Sequence, residues 1–376
     1  MAKHPARILF TIPNFITAGS GHAMLSIIER LDKSRFEPCI CVLKTGGRLE
    51  TRIRELDIPL LELPFTIPIR PVSTLLPRSA NISRKFRPYR FDLWHSFHYS
   101  DDFSEPLIAR FSGARYWIFT KKNMGWGSHP WKMRARLASR IAAQNTTMLE
   151  QFFVTESMQA KTRLIPRGVE TGKFLPDIPP RLRLREQYAI PAGAFVIGCV
   201  AQLVLVKGHP TLLEAFARLP ESSHLLLAGK PLDEVYTAEL HAQADSLGIK
   251  DRVHFLGDVQ DVPALHAELD AFVLPTLGKM RMEGCPVALL EALSCGVPSI
   301  ATNIPGSKDI IEHEISGLLV PPEDPSALAI SLRRLMEDYA LRRQLGENGR
   351  KRVLAKYTIE REVADHEALY AELLRL

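Results

Sequence analysis

Two carboxylates, Glu283 and Glu291, stand eight positions apart in the run EGCPVALLE. The first falls beside Gly284, just ahead of Pro286, which suits the first turn of a helix. The second then lies two turns into that helix. At about 1.5 Å of rise per residue the carboxylates come to sit roughly 8–12 Å apart. That distance spans a sugar and a ribose, and it is too long for a pair working on one glycosidic bond. The helix start turns backbone N–H groups outward around residues 284–287, which favours negative charge or sugar hydroxyls. Spacing alone leaves a second reading open: a capping glutamate and a helical glutamate in a salt bridge.

Charge supplies the next candidates. The net charge is +6, but residues 70–140 hold 14 Lys/Arg against 4 Asp/Glu, and all four tryptophans (Trp94, Trp117, Trp126 and Trp131). A basic, aromatic stretch fits anionic lipid headgroups, an anionic acceptor or nucleic acid. It also fits a solvated basic face over a Trp-containing core. No nucleic-acid motif accompanies the charge, so no nucleic-acid partner is expected. Within the stretch, residues 131–141 (WKMRARLASRI) read as a basic amphipathic helix of the kind that rests on an anionic membrane. The five cysteines include no C-x-x-C, so no metal is expected and the thiols read as reduced, buried groups of a cytoplasmic protein. No run of about 18 uncharged apolar residues predicts a membrane span. The N-terminal apolar stretch, broken by Pro13 and Asn14, reads as a strand and turn rather than a signal peptide.

The elements that must position these groups alternate along the 376 residues. Strands are predicted at 7–11, 37–43, 91–95, 115–120 and 140–144, and again at 195–201, 224–228, 253–256, 271–274 and 298–301. Helices are predicted between some of them, at 48–56, 211–218, 233–247, 262–269 and 286–293. A glycine-containing loop, 18–21, precedes a helix from about 22 to 31. A proline-rich stretch, 172–191, reads as a linker with a short basic helix over 181–188. From 326 to the end the chain reads as helical. Such alternation implies parallel sheets covered by helices on both faces, with ligands at the carboxyl ends of the strands.

Around the two glutamates the sequence reads DVPALHAELDAFVLPT, then EGCPVALLEALSCGVPSIATNIPGSKDII and SGLLVPPEDP. With IGCVAQLVLVKGH, RVHFLG and RRQLGENGRKRVLAKYTIE, this ordered set resembles the retaining glycosyltransferases of the group 1 type (family 4), including their E-x7-E motif. The likeness is strong over 195–376 and weaker over 1–172, where FDLWHSF and LIPRGVE carry it. It implies a GT-B fold: two Rossmann-like, doubly wound α/β domains facing across a cleft. The acceptor-side domain would cover 1–172 and the donor domain 173–355, with 356–376 a helix returning to the N-terminal domain.

The resemblance also implies roles. Glu283 would stabilise charge at the anomeric carbon and Lys207 would neutralise the diphosphate, as the catalytic pair. Gly284, Cys285, Pro286 and Val287 would line the sugar and phosphate through their backbone, and Glu291 would accept from the ribose hydroxyls. Gly19, Gly21, Thr302 and Gly306 would complete the donor site. Gln202 stands where the family usually has the Arg of its G-R-L segment, so one phosphate cation is missing. Lys121, Lys122 or Arg167 are expected to compensate. On the acceptor side the candidates are His95, Lys121, Lys122, Asn123 and Arg167. His95 is read equally as a structural histidine, and Phe97 replaces the second His of D-x-x-H-x-H. The segment before Glu283 is longer than usual and adds Lys279 and Arg281.

The activity implied is transfer of a hexosyl group, with retention, from a nucleotide-diphosphate sugar to a glycan, lipid-linked or lipopolysaccharide-type acceptor. No metal or other cofactor is needed, and a peripheral contact with anionic membrane is expected. The alternatives are a non-catalytic sugar-nucleotide or glycan-binding protein and a nucleotide-sugar hydrolase or epimerase. No G-x-G-x-x-G follows the first strand of either half, which argues against a dinucleotide-dependent oxidoreductase.

Overall fold

The structure is a computed structural model that describes residues 4–16, 18–47, 49–125, 127–279 and 283–376. Trp126 and Arg281, singled out above, lie outside the described residues. The chain divides into two compact units, Met1–Pro166 with Ile359–Leu376, and Arg167–Thr358.

The first unit is built on a seven-stranded sheet. Its strands are β1 (Ala6–Thr11), β2 (Phe36–Val42), β3 (Leu60–Glu62), β4 (Leu93–Ser96), β5 (Tyr116–Lys121), β6 (Arg140–Ala143) and β7 (Thr162–Leu164). They lie in the order β3-β2-β1-β4-β5-β6-β7, and every pairing is parallel. β1 and β2 are buried almost throughout, which is why they read as near-continuous apolar runs. The helix Ala18–Arg30 turns Ala23, Ile27 and Ile28 into the core, and the last helix, Ile359–Leu374, adds Val363, Tyr370 and Leu373 to it.

The second unit carries six strands: β8 (Phe195–Val200), β9 (Ser223–Ala228), β10 (Val253–Gly257), β11 (Ala271–Leu274), β12 (Ser299–Thr302) and β13 (Leu318–Val320). Their order is β10-β9-β8-β11-β12-β13, again all parallel. In both sheets the chain winds outward on one side and then returns to the other. The order therefore reverses between β1 and β4 in one unit and between β8 and β11 in the other, where α/β sheets open a crevice for ligands.

Several expectations need correction. The glycine loop 18–21 is the first turn of the helix Ala18–Arg30. The basic helix over 131–141 ends at Leu137, because Ala138 turns extended and Ile141 belongs to β6. The basic helix in the linker is one turn, Leu184–Gln187. The tail is three helices, Pro325–Glu337, Tyr339–Lys356 and Ile359–Leu374, because Asp338 leaves the first to cap the second. The short edge strands β3, β7 and β13 and the helices Leu75–Ser83, Ser104–Ser112, Thr146–Phe152 and Glu156–Lys161 were not anticipated.

Candidate functional site

In the second unit the chain leaves β8 through Gln202 and a single 3-10 turn, Leu205–Lys207, before the helix His209–Phe216. Gly208 makes the corner at φ +72, and a Cβ there would stand 1.9 Å from the Pro275 carbonyl oxygen. No other residue fits, and the corner aims Lys207 across the strand reversal. From the far side, after β11, comes Glu283. The Lys207 Nζ and a Glu283 carboxylate oxygen form a short ion pair, with the lysine side chain 13% exposed and the glutamate 35%.

The neighbouring loop closes on the same point. Gly306, after β12, sits at φ +89, and a Cβ there would lie 2.7 Å from the Gly284 carbonyl oxygen. Next comes the helix Val287–Ser294, whose N-terminus after Pro286 has no side-chain cap. Its first-turn N–H groups are free to meet an anion or hydroxyls. Glu291 lies two turns along. Burial pushes its carboxyl up to about 7, against the opposing pull of Lys173 and Arg167. Thr276 Oγ1 and Ser307 Oγ are enclosed with no hydrogen-bond partner.

Lys207, Glu283, Gly284, Gly306 and Glu291 thus belong to the loops and helix that follow β8, β11 and β12. Val287 is half-buried at the helix start, while Cys285 and Pro286 are buried. The Cys285 thiol points at the Arg167 carbonyl oxygen, 4.0 Å away. Gln202 is exposed on the β8 loop. The buried Thr302 hydroxyl donates to the Thr276 carbonyl at 2.7 Å, bracing two loops. Arg167 opens the second unit, where its charge acts on Glu291. Among the described residues no group of three or more His, Cys, Asp or Glu could hold a metal ion.

The first unit's candidates behave differently. Gly19 is exposed and Gly21 is packed under Leu49, both inside the helical first turn. His95, on β4, is wholly buried. Tyr370 Oη lies 2.7 Å from its Nδ1 and Thr120 Oγ1 2.9 Å from its Nε2, so both ring nitrogens are engaged inside the first unit. Burial holds its imidazole neutral, well below the usual histidine range. Lys121 is buried with its ammonium over the rings of Phe152 (3.9 Å) and Trp131 (4.7 Å), and it donates to the Gly125 carbonyl at 2.8 Å. Burial lowers its pKa to about 7. Lys122 donates to Ser20 Oγ at 2.9 Å and to the Phe97 carbonyl, tying the end of β5 to the helix Ala18–Arg30. Asn123 accepts from the Gly125 N–H at 3.0 Å.

Lys121, Lys122 and Asn123 do share one recess, which Tyr99, Ser100 and Trp131 also line. Beneath it lies a charge pair that no motif announced. Glu105, fully buried, accepts from Arg134 (2.7 Å), Thr11 Oγ1 (2.5 Å), Ser96 Oγ (2.8 Å) and Trp94 Nε1 (3.2 Å). Burial alone would raise the Glu105 pKa, but Arg134, His98 and Thr11 outweigh it and hold it at about 2. Only the apolar setting of Glu105, in a run predicted as neither strand nor helix, could have hinted at this.

Known proteins resemble this chain. The family described as "Glycosyl transferases group 1" matches residues 180–352. A GDP-mannose-dependent alpha-(1-6)-phosphatidylinositol monomannoside mannosyltransferase of Mycobacterium tuberculosis is 32% identical over 218 residues, 55% of this chain. The match spans only about half of that relative's own length, 55%. The UDP-Gal:alpha-D-GlcNAc-diphosphoundecaprenol alpha-1,3-galactosyltransferase of Escherichia coli is 28% identical over 381 residues, covering 96% of this chain and 95% of that one. The crystal structure of a glycosyltransferase from Rickettsia africae superimposes with a TM-score of 0.85 at 19% identity, over 99% of both chains. The parallel sheets of seven and six strands follow the GT-B pattern, and residues 180–352, nearly half of the chain, match the group 1 glycosyltransferases.

Proposed function

We propose that this chain transfers a hexosyl group, with retention of configuration, from a nucleotide-diphosphate sugar to a glycan, lipid-linked or lipopolysaccharide-type acceptor. The observation that carries this reading is the Lys207–Glu283 pair at the strand reversal of the second unit. A donor diphosphate takes the lysine, and the freed carboxylate turns to the sugar, where positive charge develops as the glycosidic bond to phosphate breaks. Fixed charges placed where charge develops contribute most to such barriers. The uncapped helix start at Val287 binds phosphate or sugar oxygens, and Glu291 takes the ribose hydroxyls. The departing phosphate removes the acceptor proton, so no covalent intermediate and no metal is required. The relatives named above use GDP-mannose and UDP-galactose, so the base is left to experiment.

The acceptor falls to the first unit. The relative aligned over nearly the whole chain acts on a diphosphoundecaprenol-linked sugar, which makes a lipid-linked acceptor the leading choice here. A peripheral membrane contact fits the stretch 70–90 better than 131–141. There Val72 and Leu76 are 65% and 56% exposed, with Arg70, Arg78, Arg84, Lys85, Arg87 and Arg90 nearby in sequence and no acid from 63 to 91. No described helix is long and apolar enough to cross a membrane.

The test is a thermal-shift panel of UDP, GDP, ADP and TDP with their sugars, repeated on Glu291→Ala. A donor at about 100 times its Kd stabilises the fold by about 2.7 kcal/mol. A shift for one base, weakened by the substitution, supports the donor site. No shift with any nucleotide favours a protein that has kept the fold without donor binding, and turns attention to Gln202.

A further inference from the structure

One helix of the second unit, Tyr339–Lys356, grips two others by their carboxyl ends. It lies so close that a Cβ at its Gly346 would stand 2.1 Å from the Gly296 carbonyl oxygen, so only glycine fits there. A helix seated that tightly offers fixed points for its side chains. Arg350 donates to the carbonyl of Ser294, the last residue of the helix that carries Glu291. Arg352 donates to the carbonyls of Ile310 (2.6 Å) and Asp309 (3.0 Å) and to the Glu312 carboxylate (3.0 Å). Tyr357, just past the helix, is buried and donates its hydroxyl to the same Asp309 carbonyl at 2.6 Å.

Asp309 and Ile310 close the one-turn helix Ser307–Ile310. Carbonyls at such an end have no partner within the helix and favour a cation, and bonds from an ionised donor are the strong ones. The turn starts after Gly306, which supplies no side-chain cap, and the Ser307 hydroxyl has no hydrogen-bond partner. The grip lies at the carboxyl end, and the amino end bears on the site. A Cβ at Gly306 would stand 2.7 Å from the Gly284 carbonyl oxygen and 3.0 Å from that of Glu283. Four helical residues span about 6 Å, so the turn moves as one piece and a shift at Asp309 reaches Gly306.

We propose that Arg352 and Tyr357 are positioning residues for the donor. By holding the carbonyls of Asp309 and Ile310 they keep Gly306 seated on Glu283 and Gly284, and so set the affinity for the sugar end of a nucleotide sugar. This rests on the transferase reading above. Both residues act through the turn, on a backbone that a ligand meets at its other end. The nucleotide end depends on other parts, Lys207 at the Gly208 corner and Glu291 on its own helix. Loosening the grip frees the backbone beside Glu283 and leaves those parts where they are. A merely stabilising pair of residues would lower the melting temperature without telling a nucleotide from its sugar.

The experiment uses the full chain and titration calorimetry with UDP, GDP, UDP-galactose and GDP-mannose. Tyr357→Phe removes one oxygen and should weaken the nucleotide sugar that binds by about fivefold, the worth of one hydrogen bond. Arg352→Met, which loses bonds from a charged donor, should weaken it by about tenfold or more. Arg352→Lys, which keeps the charge, should restore part of that loss. The matching nucleoside diphosphate should change by no more than about twofold throughout. Deuterium exchange on the free variants should quicken over 303–311 and 283–286 and stay as in the wild type over β8 to β10. Unchanged exchange in those two segments, unchanged nucleotide-sugar affinity, or an equal loss for diphosphate and nucleotide sugar overturns the proposal. A wild type that binds none of the four ligands sinks the transferase reading and takes the proposal with it, whereas a wild type that binds, with variants that bind alike, sinks the proposal alone.

Discussion

The two units solve the same problem at their strand reversals with different materials. The second builds its face from backbone: Gly208 and Gly306 at positive φ, carbonyls within a methyl's reach, an uncapped helix start, and a few charges laid over them. The first builds its face from side chains on ordinary backbone, with Thr11, Trp94, Ser96, Glu105 and Arg134 brought together from two strands and two helices. A backbone-built site dictates residue types at neighbouring positions. A side-chain-built site dictates them only at positions scattered over some 120 residues.

The largest expected effect attacks the side-chain face. Arg134→Met strands the Glu105 carboxylate in the interior, and breaking a buried pair from one side costs about 3–5 kcal/mol. Urea unfolding should show the loss in the first unit, and Arg134→Met with Glu105→Gln should recover much of it. If the single variant were harmless, the network would be ornament and the contrast between units would collapse.

Next comes the charge laid on the backbone face. Glu283→Ala should lower transfer by about a hundredfold to a thousandfold, typical for losing one preorganised electrostatic group, with little change in melting temperature. Unchanged turnover would remove Glu283 from the mechanism. Gly306→Ala sharpens the comparison from the other side. It forces φ +89 on an L residue and a Cβ against the Gly284 carbonyl, so about 1–3 kcal/mol of stability should go, along with nucleotide affinity.

The two smaller predictions turn on protons. Glu291 has its folded pKa raised to about 7 from 4.5, so the folded state binds more protons than the unfolded one between those values. Its contribution to stability therefore falls as pH rises through that window. Ribose hydroxyls need the ionised form, so nucleotide affinity should drop about three- to tenfold from pH 7.5 to pH 6, and Glu291→Gln should flatten the profile. A wild-type profile already flat would count against the ribose contact. Lys121 is the converse. Its pKa is lowered to about 7 from 10.5, so the unfolded state binds more protons between those values and stability rises with pH there. Lys121→Met should gain about 1 kcal/mol or less at pH 7 and lose that pH slope, measured by thermal melts from pH 6 to 10.

The same contrast explains what the sequence could tell. Alternating apolar runs made the buried strands legible, since strands covered on both faces read as unbroken Val, Ile, Leu and Phe. The edge strands β3, β7 and β13, three residues each, were too short for any period to emerge. EGCPVALLE and VKGH announced the face at the strand reversal of the second unit because glycine corners and a helix start are local requirements. Glu105 and His98 carried no such mark. Phe97 stands where the family's second His was expected, and His98, one residue on, went unremarked. Several cations of the basic stretch have partners that the sequence did not reveal: Arg134 pairs with Glu105, Arg140 with Glu372, and Lys121 lies against two aromatic rings.

One feature of the chain's path bears on how the protein is made. The helix Ile359–Leu374 completes the core of the first unit, and its Tyr370 hydroxyl is the partner of the His95 ring. A ribosome releases residues 1–166 first, yet it must thread out the whole of 167–358 before that helix appears. At about 5–20 residues per second, the older unit waits roughly 10–40 s with a groove over Phe10 and Phe36 unfilled. The unit translated second is therefore the first that can finish folding. Until that helix emerges, the nascent first half leaves bare the aromatic surface that Tyr370 covers in the finished fold.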